Sequence, residues 1–274
     1  MSEVSNKWDA EDYSINSSAQ ESWANELIGK LEMEGEEHVL DIGCGDGKVS
    51  ASIAKKNSGG MVVGIDRSSD MIELAQAQFN LPNVSFHIMD ATAISMEEKF
   101  DVAFSSAVLH WVKDHKAVLG CLRNCLNEKA KILFQMGGHG NANDILEIVQ
   151  QVTGAGQWER YFKDFVFPYR FCTVDDYEEW LPETGYEAKR IELIFKDMVH
   201  DSIEGLKGWL RITWFPYTNQ LPKNMKEDFL NTVVEQYITA CPLDSQGRTH
   251  VKMVRLEVEA NLSDYGKRPS INKK

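Results

Sequence analysis

A chain of 274 residues has room for one large domain or two small ones. Its 29 Lys and Arg against 42 Asp and Glu leave a formal charge of −13, a field that repels phosphate backbones and anionic lipid. That argues against nucleic-acid and membrane-surface partners, while 43% apolar and 26% charged residues fit a packed globular core and not a disordered chain. The five cysteines (Cys44, Cys121, Cys125, Cys172 and Cys241) are odd in number and form no CxxC pair, so neither a disulfide framework nor a structural metal site is expected. No apolar run approaches the ~20 residues of a membrane helix, and MSEVSNKWDAEDY is not a charged-then-apolar leader. The expectation is a soluble, cytoplasmic protein.

In chain order, residues 18–31 place Trp23, Leu27 and Leu31 at helical spacing. Then strands and amphipathic stretches alternate. His38–Ile42 reads as a strand, Lys48–Lys56 as a helix and Met61–Ile65 as a second strand ending at Asp66. A helix capped by Ser68 or Ser69 runs to Phe79, and Val84–Ile88 is a third strand ending at Asp90. Phe100–Phe104 and Lys131–Gln135 follow as strands, with a helix over about 114–126 between them. This βαβ rhythm implies a parallel sheet with right-handed crossovers. Beyond Gly138 the reading is helices at about 143–152 and 174–181, a strand at Ala188–Phe195, helices at 203–212 and 222–239, and a last strand at His250–Val258.

Ligands of open parallel sheets bind outside the carboxyl ends of the strands. Gly43-x-Gly45-x-Gly47 follows the first strand and opens a helix, so backbone can approach a ligand closely and the helix start offers free N–H groups. Asp66 can accept from both hydroxyls of a ribose, and Asp90 from an adenine amino group. Together they describe a pocket for an adenosine-bearing cofactor. Lys48 stands where the third glycine of a dinucleotide fingerprint would be, which disfavours an NAD-type oxidoreductase. Asp41 puts a carboxylate two residues before the loop, where an ammonium-bearing ligand suits it better than a diphosphate.

The segments Val39-Leu-Asp-Ile-Gly-Cys-Gly-Asp-Gly47, Val63-Gly-Ile-Asp66 with Ser69 and Met71, and Asp90-Ala91 resemble the class I S-adenosylmethionine-dependent methyltransferases. The resemblance is close over about 36–136 and looser toward both ends. Phe104-Ser-Ser-Ala-Val-Leu-His-Trp-Val112 is similar to the fourth-strand motif of the subgroup holding trans-aconitate, juvenile hormone acid and malonyl-carrier-protein methyltransferases. Tyr13 and Gln20 are spaced as in the juvenile hormone enzymes. The resemblance implies an α/β, Rossmann-like, seven-stranded sheet with its last strand antiparallel and helical cap insertions around strand six. It implies one methyltransferase domain over 1–274, with 36–136 binding the cofactor and 1–35 and about 137–245 forming the cap and acceptor pocket. Carried over, Gly43, Gly45, Gly47, Asp66, Arg67, Met71, Asp90, Ala91 and Ser105 would hold S-adenosylmethionine, with Asp41 orienting its ammonium group. Gln20 and Trp111 would face an acceptor carboxylate, beside His110.

The implied reaction is O-methylation of a small carboxylic acid by a monomer or homodimer, leaving S-adenosylhomocysteine. C- or N-methylation, or a catalytically silent cofactor-binding subunit, are the alternatives. A carboxylate acceptor needs no general base; another acceptor would make His110 the first candidate base, and its alternative role is structural. Two roles also stay open for the aromatic residues between Trp158 and Phe171 and for Trp209, Trp214, Phe215 and Tyr217: an apolar lid, or core beneath the inserted helices. Arg170, Arg211 and Arg248 could pair with a substrate anion or serve surface salt bridges.

Overall fold

The computed structural model describes residues 18–263, with side chains from Ser22 onward. Tyr13 lies outside the described residues, as does the side chain of Gln20. The elements are α1 (Ser18–Gly29), β1 (His38–Ile42), α2 (Lys48–Lys56), β2 (Met61–Asp66), α3 (Ser69–Gln78), β3 (Val84–Ile88), β4 (Phe100–Ser106), α4 (His115–Cys125) and β5 (Leu126–Gly137). Then come α5 (Asn143–Thr153), α6 (Glu159–Phe162), α7 (Val174–Thr184), β6 (Tyr186–His200), α8 (Ile203–Thr213), α9 (Phe215–Thr218), α10 (Lys226–Ala240) and β7 (Thr249–Leu262).

The seven strands form one sheet in the order β3-β2-β1-β4-β5-β7-β6, with the last strand antiparallel. β1 is buried over Val39–Ile42, as a central strand covered on both faces must be. The chain winds outward through β2 and β3, then returns to place β4 on the other side of β1. The loops after β1 and β4 therefore diverge at the topological switch point.

All seven expected strands are present, but the last three are longer than their apolar runs. β5 begins at Leu126, opposite Phe100, and passes an irregularity before Val102 meets Lys131. The stretch from Asn127 to Ala130 falls in that irregularity and carries no apolar alternation to read. α10 starts at Lys226, because Pro222 precedes a 3₁₀ turn at Lys223–Met225. The four-residue helices α6 and α9 are too short to leave a periodic signal.

The chain divides into two compact units. One comprises residues 20–139, 170–194 and 256–263. Its least expected feature is Glu257, fully buried on β7. One carboxylate oxygen accepts from Lys30 Nζ (2.7 Å) and Arg190 Nη1 (2.6 Å), the other from Gln135 Nε2 (2.9 Å). Three neighbouring strands and the residue after α1 thus share one charge.

The other unit comprises residues 18–19, Gly140–Tyr169 and Phe195–Arg255. Here aromatic rings pack against one another: Phe162 stacks on Phe229 at 5.6 Å, Phe165 lies 4.4 Å from Tyr217, and Trp214 touches Tyr169, Trp209 and Tyr217. Trp158, Tyr169, Trp209, Trp214, Phe215, Tyr217 and Phe229 are buried, which is the behaviour of core residues. Arg211 pairs with Glu227 and Arg248 with Asp244, so both serve intramolecular ion pairs.

Burial alone would push the Glu257 carboxyl up, but its three donors bring it below the usual glutamate range. The stabilisation is therefore present above the unfolded-state pKa and lost as pH falls through the folded-state value. Glu257→Gln is expected to destabilise the protein by about 2 kcal/mol at pH 7. In urea unfolding followed against pH, the gap to wild type closes in acid.

Candidate active site

The glycine loop is held from three sides. Gly43 and Cys44 both donate backbone N–H groups to the Ile65 carbonyl, at 2.7 and 3.0 Å. Gly43, Gly45 and Gly47 all have positive φ. A Cβ on Gly43 would lie 2.3 Å from the Val108 side chain, and one on Gly47 would lie 2.8 Å from Ala75 and Phe86. At Gly45 a Cβ would meet nothing within 4 Å. Gly43 and Gly47 are glycines because other parts of the protein press on them. Gly45 instead turns bare backbone toward open space.

Four carboxylates differ by environment. Asp41 is buried and accepts from Ser50 Oγ at 2.6 Å; burial, more than its neighbours, pushes its carboxyl up to about 7. Asp66, half-buried at the end of β2, accepts from Ser68 N–H (2.9 Å) on one oxygen and Gly45 N–H (3.1 Å) on the other, so it joins the loops after β1 and β2. Desolvation leaves it above the ordinary aspartate value despite those bonds. Asp90 is exposed and caps a 3₁₀ turn at Ala91–Ala93, taking both the N–H (2.7 Å) and hydroxyl (2.6 Å) of Thr92 on one oxygen, and these bonds hold its carboxyl low. Asp46 pairs with Lys48 at 3.1 Å. The exposed Arg67 lies close enough to favour ionisation of both Asp66 and Asp90.

Among the remaining sequence-derived candidates, Met71 is buried in the first turns of α3 and Ala91 is partly exposed. Ser105 is fully buried and donates to the Ile42 carbonyl at 2.9 Å. Asp41 and Ser105 thus sit beneath the glycine loop. Asp66, Arg67, Asp90 and Ala91 line up along the strand ends beside it.

β4 runs into a 3₁₀ turn at Leu109–Trp111, entered through Ala107 in the left-handed region. His110 and Trp111, both half-buried, are ring neighbours at 5.9 Å, and Phe171 lies 6.2 Å from His110. Gly137 N–H approaches His110 Nδ1 at 3.3 Å. A backbone N–H can only donate, so Nδ1 is the acceptor and the neutral ring carries its proton on Nε2. Ser50, Val108 and Gly137 are positional partners that the sequence reading does not single out, and Arg170, read there as a candidate for a substrate anion, instead bonds the Lys113 carbonyl. Val108 lies inside a quoted motif and Gly137 just past the Lys131–Gln135 strand, yet nothing in their residue type marks a contact 65 or 27 positions away.

The methyltransferase domain family matches residues 34–185, more than half of the chain. Trans-aconitate 2-methyltransferase of Methylobacterium radiotolerans is 26% identical over 241 residues, covering 86% of this chain and 91% of the relative. An uncharacterized methyltransferase of Schizosaccharomyces pombe is 26% identical over 262 residues, covering 93% and 97%. The O-methyltransferase from a trans-AT PKS multienzyme of Brevibacillus brevis, solved with S-adenosylhomocysteine, shares the fold at TM-score 0.54 and 16% identity, over 96% of this chain and 80% of that one. With that family match lying across the glycine loop and the strand-end carboxylates, the chain belongs to the methyltransferase domain family and is an S-adenosylmethionine-dependent methyltransferase of Rossmann-like fold.

Proposed function

We propose that this enzyme methylates a carboxylate oxygen of a small organic acid, producing its methyl ester. The observation that carries this reading is the Gly137 N–H on His110 Nδ1. With that lone pair engaged, His110 offers an N–H donor and not a base. An alcohol or amine acceptor has to lose a proton, whereas a carboxylic acid is already ionised at neutral pH. In this reading the half-buried His110 and Trp111 of the turn serve an acceptor that needs holding and no deprotonation. The trans-aconitate relative, named for an acid, supports the same class.

The residues present fit the cofactor. Gly45 leaves the space its Cβ would fill, and Asp66 spends one bond per oxygen on protein donors, so each oxygen keeps acceptor capacity for a ribose hydroxyl. Gly43, Gly45 and Gly47 would line the amino-acid and ribose portion. Asp90 and Ala91 would meet the adenine edge, with Met71 packing there and Arg67 alongside. Asp41 would favour the ammonium group from beneath the loop, and Ser105 would keep β1 and β4 in place under it. When bound, S-adenosylmethionine supplies an electrophilic methyl on its sulfonium. Gln20 and Trp111 would orient the acceptor carboxylate, and the protein's work is alignment and exclusion of water. The division in which 36–136 serves the cofactor and 1–35 with 137–245 serves the acceptor belongs to this proposal.

The direct test incubates the enzyme with S-adenosylmethionine and a panel headed by trans-aconitate, with matched alcohols and amines, and identifies products by mass spectrometry. Methyl esters are expected; ethers or N-methyl products without esters overturn the reading. Asp66→Ala is expected to weaken S-adenosylhomocysteine binding at least tenfold in calorimetry. Trp111→Ala should leave that affinity within twofold and raise the acceptor KM.

Asp41 predicts a pH dependence. Its raised value means the group is largely protonated below pH 7, and a cationic ammonium nearby favours the ionised form. S-adenosylhomocysteine affinity should therefore rise with pH up to about 7, by at most about tenfold per unit, and level off above. Asp41→Asn should flatten the profile, and an unchanged slope in that variant would assign the titration to another group.

A further inference from the structure

We infer that Arg170 is a positioning residue for the acceptor turn, acting through the 109–113 backbone that carries His110 and Trp111. This rests on the acceptor assignment proposed above. The Arg170 backbone N–H donates to the His110 carbonyl at 2.7 Å. Its guanidinium Nη1 donates to the Lys113 carbonyl at 3.0 Å. One residue thus grips the turn at two points three residues apart. The guanidinium plane is fixed in turn by the Trp180 ring, 4.7 Å beneath it, and by Asp176 at 3.7 Å.

An ion pair that long on a partly exposed arginine contributes little by itself. The two carbonyl contacts are what set Arg170 apart from Arg211 and Arg248, whose side chains go to carboxylates.

The residues next to Arg170 hold the other side of the same ring. Phe171 packs against His110. Cys172 bridges Gly138 in parallel fashion, and its carbonyl accepts the His139 N–H at 2.8 Å. That pins the exit of β5, whose Gly137 N–H reaches His110 Nδ1. Below the turn, the buried His115 bonds the Tyr177 hydroxyl at 2.8 Å and stays neutral, held down to about 4 mainly by burial. The orientation of His110 is therefore set by two segments, 109–115 and 137–139, and the 170–172 strap is bonded to both.

In-line methyl transfer is sensitive to such placement, since a misalignment of about 1 Å can lower the rate as much as 100-fold.

The test uses full-length Arg170→Met, which keeps the stem but loses the donors, and Arg170→Lys. The ¹⁵N spectrum of the His110 ring, assigned with His110→Gln, reads the tautomer without any acceptor. Arg170→Met is expected to bind S-adenosylhomocysteine within twofold of wild type, to mix the His110 tautomers, and to lower kcat with trans-aconitate at least tenfold. Arg170→Lys should recover part of both effects, and it replaces the Met variant if the latter fails to fold. An unchanged His110 spectrum overturns the inference, as does a changed spectrum with unchanged kcat. If wild type does not methylate trans-aconitate, the acceptor reading fails on that substrate while the ring spectrum still decides the role of Arg170.

Discussion

The site depends on a close approach at Gly43. No side chain fits there, because Val108 from the loop after β4 already occupies the space a Cβ would need. The backbone can follow that path only in the left-handed region, where glycine is at ease. Everything around the loop is tied to this contact. The N–H groups of residues 43 and 44 go to β2, Asp66 returns a bond to Gly45, and Ser105 holds the residue before the loop. The loops after β1, β2 and β4 are therefore tied to one another by contacts and hydrogen bonds.

Charge is managed by burial in two opposite ways. At Glu257 three donors surround the carboxylate, so ionisation is favoured and the buried charge joins β5, β6 and β7 to the residue following α1. At Asp41 the Ser50 hydroxyl donates to a buried carboxyl, and desolvation dominates. A buried carboxyl raised by desolvation is suited to respond to a nearby cation. The same functional group, a carboxyl, is an ionised structural clamp on β7 and a group held up by desolvation on β1, and the donors around each make the difference.

His110 illustrates why residue type is a poor guide to chemistry. A histidine beside a tryptophan at a strand end suggests a general base. With its Nδ1 taken by Gly137, the ring is a donor. The strap from Arg170 to Cys172 bonds the backbone on both sides of that ring, at His110 and Lys113 and at Gly138 and His139.

By itself the sequence determined the element types, the parallel sheet and the cofactor class, because these rest on local signals. Apolar runs mark β1 to β4, the Gly43, Gly45 and Gly47 spacing marks the loop, and Asp66 and Asp90 mark the ends of two strands. Its reading of Arg211 and Arg248 stayed open between substrate and salt bridge, and the aromatic residues between lid and core. Tertiary structure decided those for the described residues: Arg248 turns back onto Asp244 four residues away, while the Arg211 pair with Glu227 and the packing of Phe162 on Phe229 join separate segments of the chain. It also decided the true lengths of β5, β6 and β7, the burial of Glu257, the Ser50 bond to Asp41 and the proton position on His110. None of these has a local signature, because each depends on which distant donor or backbone the fold brings within about 3 Å, and periodicity along the chain carries no record of that.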